Sequence, residues 1–427
     1  GGAAPMLSTA DNDLITRVGP GTPMGDVMRR YWMPIMLDWE LPGPDCDPVR
    51  VRILGENLVA FKDTQGRIGL LADECPHRRV SMYFGRNEEG GLRCVYHGWK
   101  FDVTGQCVEQ PNEPESSRFE QKVKTPAYQT VVRGNVIWAF LGPKDQTPPP
   151  PDFDWTVVPD THRGVTKIWQ ECNYVQALEG GIDTSHSSFL HNNNMSDKTL
   201  LRSRSTAPVL GVTPTDYGYT YSSTRHLSQD EGDFVRTYHY VMPFHQLRAN
   251  QVGRSGGYNM PKVAGHCWVP IDDENTMVFN WTYTWGDEPL SENDRTLRGT
   301  GNELYVDIDV ENQFRSFRTR ANDYLLDRDV QRTETFSGIS GVNTQDRALQ
   351  ETMGIIANRS KERLGTSDRA IIMMRKLLIE AAKVVADGGK PRGAGTEYYG
   401  VRAIDAILPA GSSWETLKPQ MYTADAH

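Results

Sequence analysis

Two short segments limit what this chain can fold into more than anything else in it. Cys75-Pro76-His77 is separated by sixteen residues from Cys94-Val95-Tyr96-His97-Gly98-Trp99. A Cys-x-His and a Cys-x-x-His thus offer two thiolates and two imidazoles from two loops. A single zinc ion accepts that donor set in a tetrahedral site. A [2Fe-2S] cluster also accepts it, with two cysteines on one iron and two histidines on the other, an exchange that raises the reduction potential above that of all-cysteine clusters. Glycine and proline around both loops favour the cluster, because backbone amides must approach its sulfurs closely. Trp99 would then shield the site from water. Strand-like alternation precedes the loops at Val49, Val51 and Ile53, at Leu58 to Phe61 and at Ile68 to Leu71, with turns at Gly55-Glu56-Asn57 and Gln65-Gly66. It returns at Val131 to Leu141 around Arg133-Gly134-Asn135. The loops therefore sit in a meander of short strands, an all-β unit.

A second stretch, Asn173 to His191, reads NYVQALEGGIDTSHSSFLH. Asp183 and His186 are three residues apart and share a face of a helix. His186 and His191 are five apart, which on a regular helix turns the second ring by about 140° from the first. Both rings reach one ion only if the helix carries a bulge, or ends near Phe189 and swings His191 back. Two neutral imidazoles with a carboxylate from elsewhere form the facial triad of non-haem Fe(II) oxygenases. Taken alone, two histidines near one acid are more often ordinary surface or core residues.

The 427 residues, 38% of them hydrophobic, are enough for two domains with sizeable cores. A formal charge of −9 with both signs interspersed argues against a nucleic-acid face or a membrane patch. No apolar run approaches a membrane span and no signal peptide is read at the start. Residues 1–5, ahead of Met6, are set aside as foreign to the fold. Six widely spaced cysteines point to a reducing compartment, the cytoplasm, with thiols available for metal. Residues 6–48 read as a docking arm, with a short helix whose apolar face runs over Met24, Val27, Met28, Tyr31 and Trp32 and which Pro34 ends. Pro143 and the run Pro148 to Pro151 make a stiff connector. The cluster unit is therefore placed at 49–150 and a second domain at 151–427. That domain carries alternating strands at Tyr217 to Thr224, Phe234 to Val241 and Met277 to Trp285, then a helix through Ile371, Met374, Leu378, Ala381 and Val385 that ends at Gly388-Gly389. Strands flanked by helices suggest an antiparallel sheet wrapped around a helix, an α+β layout.

Taken together, Cys75-x-His77, Cys94-x-x-His97 and Asp183-x-x-His186-x4-His191 resemble the catalytic alpha subunit of the Rieske non-haem iron oxygenases. The stretches VGPGTPMGDVMRRYW, GLRCVYHGWKFD, CNYVQALEGGIDTSH and FSGISGVNTQDRALQETMG are similar to the phthalate 4,5-dioxygenase-like branch, which includes aryl O-demethylases such as those for dehydrodivanillate. The resemblance runs from about Leu7 to about Leu408. Arg79 is a local departure, since many relatives carry glycine there. The resemblance implies a helix-grip catalytic domain, a Rieske cluster on Cys75, His77, Cys94 and His97, and mononuclear Fe(II) on His186, His191 and Asp346. Asp346 lies 155 residues beyond His191 (346 − 191). Without the resemblance it would read as a solvated helix N-cap ahead of Ala348 to Met353. Asp183 is implied to bridge a cluster histidine of a neighbouring subunit to an iron histidine, which requires a homotrimer or a pair of stacked trimers. An NAD(P)H-dependent reductase with flavin and an iron-sulfur centre is the implied electron donor. An aromatic acid and O2 are the implied substrates, with O-demethylation and cis-dihydroxylation both open. Arg225, on the face of Tyr219, Tyr221 and Ser223, Arg236, on the face of Phe234, Tyr238 and Tyr240, and Arg248 are candidate partners for the acid's carboxylate. Surface arginines would explain each of them equally well. A Rieske electron carrier without oxygenase activity is the competing expectation, and it needs only the residues up to about Pro151.

Overall fold

The N-terminal segment departs first from the sequence pattern. In the computed structural model, which describes residues 6–424, helices Thr9–Thr16 and Pro23–Met28 are followed by a strand, Trp32–Leu37. The expected helical face thus breaks at Met28. All six residues of WMPIML are buried, as a strand covered on both faces requires. Pro34 is tolerated because the pairing with Val136–Phe140 shifts register just after it. Residues 1–5 lie outside the described residues.

The short strands form where the alternation places them. Val49–Ile53, Glu56–Lys62 and Ile68–Ala72 make one antiparallel sheet. Trp32–Leu37, Val136–Phe140 and Gln129–Arg133 make a second. A third holds Arg86–Glu88, Gly91–Arg93, Lys100–Phe101 and Cys107–Glu109, and the second Cys/His loop joins its two middle strands. A compact apolar cluster of Phe61, Leu71, Leu92, Phe101 and Met82 lies under both cysteines.

Beyond the proline connector, ten strands form one sheet in the order Val209–Pro214, Gly218–Ser228, Gly232–Val241, His245–Ala249, Lys262–Pro270, Thr276–Thr284, Arg163–Gln170, Arg315–Ser316 and Ile308–Asp309, with Asp405–Leu408 on the side of Gly232–Val241. All pairings are antiparallel except that of Arg163–Gln170 with Arg315–Ser316. Helix Tyr174–Ile182 lies against Lys262–Pro270 so closely that a Cβ on Gly181 would stand 2.0 Å from the Trp268 ring. Only glycine permits that approach. Asn173 caps the helix, its Oδ1 accepting from Val175 N at 3.0 Å. Buried Glu179 pins it between Arg359, at 2.6 Å, and Arg375. Helix Arg369–Ala386 packs outside it, over Val209–Pro214 and Gly218–Ser228, where Tyr219 Oη donates to Ala370 O. The result is the expected α+β arrangement, a sheet gripping a helix, and the gripped helix ends at Asp183.

Candidate metal centres

The two Cys/His loops have the same local construction. Cys75 N donates to Val80 O and Cys75 O accepts from Arg79 N, while Cys94 N donates to Trp99 O and Cys94 O accepts from Gly98 N. The closing residue is left-handed in both, with φ +80° at Gly98 and +70° at Arg79. Arg79 therefore adopts the conformation that glycine favours, at a cost of about 1–2 kcal/mol, and its guanidinium is anchored on Glu74. The thiols of Cys75 and Cys94 are buried, and burial pushes Cys75 up to about 11. His77 and His97 are half-exposed, and their Nδ1 atoms face each other at 3.0 Å. Trp99 is buried and stacks on His77 with ring centres 4.4 Å apart, the shielding that the sequence suggests. Four donors around one tetrahedral ion stand within about 4 Å of each other. Here sulfur pairs with sulfur and nitrogen with nitrogen, and among the described residues the four do not gather into one such group. A two-iron cluster, with one pair of ligands on each iron, fits that division and a single zinc does not.

The second centre forms where helix Tyr174–Ile182 ends. Asp183 is its C-cap, a 3-10 turn over Ser185–Ser188 carries His186, and the chain then reverses to bring His191 back. Asp346 comes from helix Val342–Glu351, in its middle rather than at its N-cap. His186 Nε2, His191 Nε2 and Asp346 Oδ1 stand 3.1 Å from one another. Bonds of about 2.1 Å put adjacent corners of an octahedron about 3.0 Å apart and those of a tetrahedron about 3.4 Å apart. The triangle matches one octahedral face and leaves the opposite face open. The charges also call for a cation. Burial opposes a charged His186, yet the carboxylates of Asp183 and Asp346 outweigh it and raise the imidazole to about 10. Burial likewise favours a neutral Asp346, yet the two imidazoles hold its carboxyl well below the usual range.

What lies behind the triangle differs between the two histidines. Asp183 Oδ1 accepts from His186 N and from His186 Nδ1, both at 3.1 Å. His191 Nδ1 donates to Gln345 Oε1 at 2.7 Å. Gln345 Nε2 donates to Asn193 Oδ1 and Ile339 O, each at 2.7 Å, so its oxygen has to face His191. With a cation in place of the Nε2 protons, both imidazoles therefore keep their proton on Nδ1 and aim a lone pair from Nε2. Gln345 carries no motif in the sequence and shows itself only in three dimensions. Gln345→Leu, which leaves a buried N–H unpaired, is expected to weaken iron binding at this centre by about 10–100-fold while the cluster spectrum stays unchanged. Competitive metal chelation measures this.

A narrow cavity, partly open to solvent, adjoins the triangle. All three arginines singled out in the sequence line it, but they are not equivalent. Arg225 donates to Ser188 Oγ at 2.7 Å and Thr184 O at 2.9 Å, clamping the turn that carries His186. Arg236 pairs with buried Asp405 at 3.2 Å. Arg248 forms no ion pair among the described residues and its Nε lacks an acceptor. Arg202, on the short helix Leu201–Arg204, was not singled out. It too lines the cavity without an ion pair, and burial together with Arg236, Arg248, Arg254 and Arg225 brings it down to about 9. Of the tyrosines expected to face substrate, only Tyr238 reaches the cavity. Tyr219, Tyr221 and Tyr240 are fully buried, with hydroxyls bonded to Ala370 O, Gln246 and Pro243 O.

A Rieske-type loop pair and a facial triad beside a cavity, on one chain, define an oxygenase component rather than an electron carrier. Residues 31–128 match the Rieske [2Fe-2S] domain and residues 139–427 the LigXa C-terminal domain like family. The chain is 37% identical to the phthalate 4,5-dioxygenase oxygenase subunit of Pseudomonas putida, over 96% of this chain and 94% of that one. It is 32% identical to the 5,5'-dehydrodivanillate O-demethylase oxygenase subunit of a Sphingobium species, over 91% and 83%. Pseudomonas putida NdmA with caffeine superposes with a TM-score of 0.60 at 18% identity, over 92% of this chain and all of that one. Dicamba monooxygenase superposes with 0.59 at 19% identity, over 84% and 98%. The chain belongs to the Rieske non-haem iron oxygenases, as an oxygenase subunit of the phthalate 4,5-dioxygenase-like branch. Its cofactors are a Rieske [2Fe-2S] cluster and a mononuclear non-haem iron, and it works in a multicomponent system with a reductase. Among the described residues no helix is long and apolar enough to cross a membrane.

Proposed function

We propose that this oxygenase hydroxylates an aromatic acid, either removing an aryl methyl group as formaldehyde or forming a cis-dihydrodiol. Cys75, Cys94, His77 and His97 hold the cluster in this reading, and His186, His191 and Asp346 hold the iron. The observation that carries it is the cavity beside the 3.1 Å triangle, lined by two half-buried guanidiniums, Arg202 and Arg248, that form no ion pair with a carboxylate among the described residues, Arg248 Nε being buried without a partner. Partly desolvated cations without a counter-charge are unfavourable, and an anionic substrate relieves them. Iron held by His186, His191 and Asp346 would supply dioxygen activation. The chain does the rest: Arg248 and Arg202 bind the carboxylate, Phe234, Trp268 and Val278 orient the ring and exclude water, and Asp183 keeps the His186 proton on Nδ1.

Asp183 is about one-quarter exposed, and all its hydrogen bonds to His186 and Ser185 Oγ fall on Oδ1. Oδ2 is thus open to an imidazole of another subunit. On the cluster loop Val95 and Tyr96 are large, apolar and more than half exposed. Both features support a head-to-tail homotrimer, alone or stacked as a hexamer. Electrons come from an NAD(P)H-dependent reductase with flavin and iron-sulfur centres. None of the six cysteines is paired in a disulfide, which favours the cytoplasm.

Turnover of phthalate-like and methoxylated aromatic acids with a generic reductase tests the proposal, scored for formaldehyde against dihydrodiol. Stoichiometric formaldehyde identifies a demethylase, a dihydrodiol identifies a ring dioxygenase, and no turnover across the panel overturns the aromatic-acid assignment. Arg248→Leu is expected to raise KM for the accepted acid at least about tenfold, with less effect on kcat.

A further inference from the structure

On one face of the sheet, three adjacent strands place Gln246, His266 and Asn280 in a single row, with His266 directly opposite both neighbours in the register. All three line the cavity beside the iron ligands. Gln246 is engaged inside the protein, its Nε2 donating to Tyr221 Oη at 2.6 Å. Asn280 Nδ2 is directed to Val278 O at 3.4 Å, which turns Oδ1 towards His266 Nδ1 at 2.7 Å. An amide oxygen only accepts, so the proton of the neutral His266 ring sits on Nδ1 and Nε2 keeps a bare lone pair. Burial, reinforced by the positive charge of Arg248, pulls this imidazole down to about 4, and it is neutral at ordinary pH. Among the described residues none donates to Nε2. The ring is held in place against Trp268, with centres 5.1 Å apart. Of the charged groups that line the cavity, Arg202, Arg225, Arg236, Arg248 and Arg347 offer only donors, and the carboxylates of Asp183 and Asp346 are engaged with His186 and His191.

We propose that His266 is a specificity-determining residue, whose Nε2 accepts a hydrogen bond from a hydroxyl or amino group on the substrate ring. This rests on the aromatic-acid reading of the cavity and narrows it to ring-hydroxylated or amino-substituted acids. The arginines claim the carboxylate and His266 claims the second polar substituent, so two contacts fix which ring edge meets the iron. An acid without such a donor buries the lone pair unpaired. Sites built to bond a substrate hydroxyl discriminate strongly against the analogue that lacks it.

The test is equilibrium binding, by calorimetry on the iron-loaded oxygenase without reductant, so that no turnover intervenes. Benzoate is compared with its hydroxy isomers, and phthalate with its hydroxy isomers. At least one hydroxy isomer is expected to bind about tenfold more tightly than its parent. In His266→Leu that advantage disappears, and the parent acid binds at least as tightly as before because no unpaired lone pair is left to bury; in His266→Gln, which restores an acceptor oxygen, most of the advantage returns. The cluster spectrum and iron content of each variant confirm an intact fold. Parent and hydroxy acids binding equally to the unmodified protein, or an advantage that survives in His266→Leu, overturns the role of His266 and leaves the aromatic-acid reading standing. Failure of every acid to bind removes both.

Discussion

Asp346→Ala lowers iron content from about three atoms per chain to about two, with the red-brown cluster spectrum intact. Asp346 is the only anion in the triangle, at 3.1 Å from both imidazole Nε2 atoms. Without it, two neutral imidazoles remain, and metal affinity falls beyond the roughly 10–100-fold attributed to groups behind the ligands. Oxygenation falls to background even when the reductase still reduces the cluster. Glutamate does not rescue, because one extra methylene moves the oxygen off the 3.1 Å triangle by about the length of a bond. Metal analysis alongside cluster absorbance checks this, and full iron content in the alanine variant would return Asp346 to the role of an ordinary helix residue.

Asp183→Asn is expected to keep both iron centres and still lose at least about 10–100-fold in turnover. Asparagine can present its carbonyl oxygen to His186 in place of Oδ1, preserving the internal contacts at 3.1 Å. At the Oδ2 position it presents an NH2, which cannot accept from an imidazole of another subunit. Reoxidation of the reduced cluster in the presence of substrate and O2 therefore slows, while substrate affinity does not change. Complementation separates this from a local defect. When Asp183→Asn chains are co-assembled with Cys94→Ala chains, the cluster of the first type sits beside an intact Asp183 of the second, and activity rises above that of either variant alone. Mixed assemblies no more active than either variant rule out electron transfer between subunits.

The cluster loops were legible because four chemically unusual side chains lie within a few residues of each other and glycine marks one of the two turns. The other turn, with Arg79 at φ +70°, shows the same backbone demand met by a residue that hides it. The strands with clean alternation, such as Gly232–Val241, were visible for the same local reason. Arg163–Gln170 and Lys262–Pro270 were not: all three strands are paired on each side and mostly buried, but RGVTKIWQ and KVAGHCWVP do not alternate polar and apolar residues cleanly enough to set a period. The tyrosine row misled because alternation reports a face and not what covers it, and here the core covers most of it. Asp346 was reached by resemblance alone, since closing 155 residues of chain (346 − 191) onto one point leaves no local trace. Arg202 and Gln345 lie on helices whose sequence gives no reason to choose them. Their importance comes from what faces them.

The corner proposed to hold iron joins the exit of one helix, at His186 and His191, to the middle of another, at Asp346 and Gln345, and His191 and Gln345 are 154 positions apart in the chain. A bound ion there acts as a removable clasp on a very long loop. By mass action, free iron at about one hundred times its dissociation constant adds about 2.7 kcal/mol to the folded state. The stability of this half of the molecule is thereby tied to the cell's iron supply. In scarcity, amide exchange should quicken first around residues 184–194 and 342–351, while the cluster unit, with its own core, stays closed. A cell short of iron would then hold chains that still accept electrons but no longer keep the catalytic corner shut, and these would be the chains most open to proteolysis.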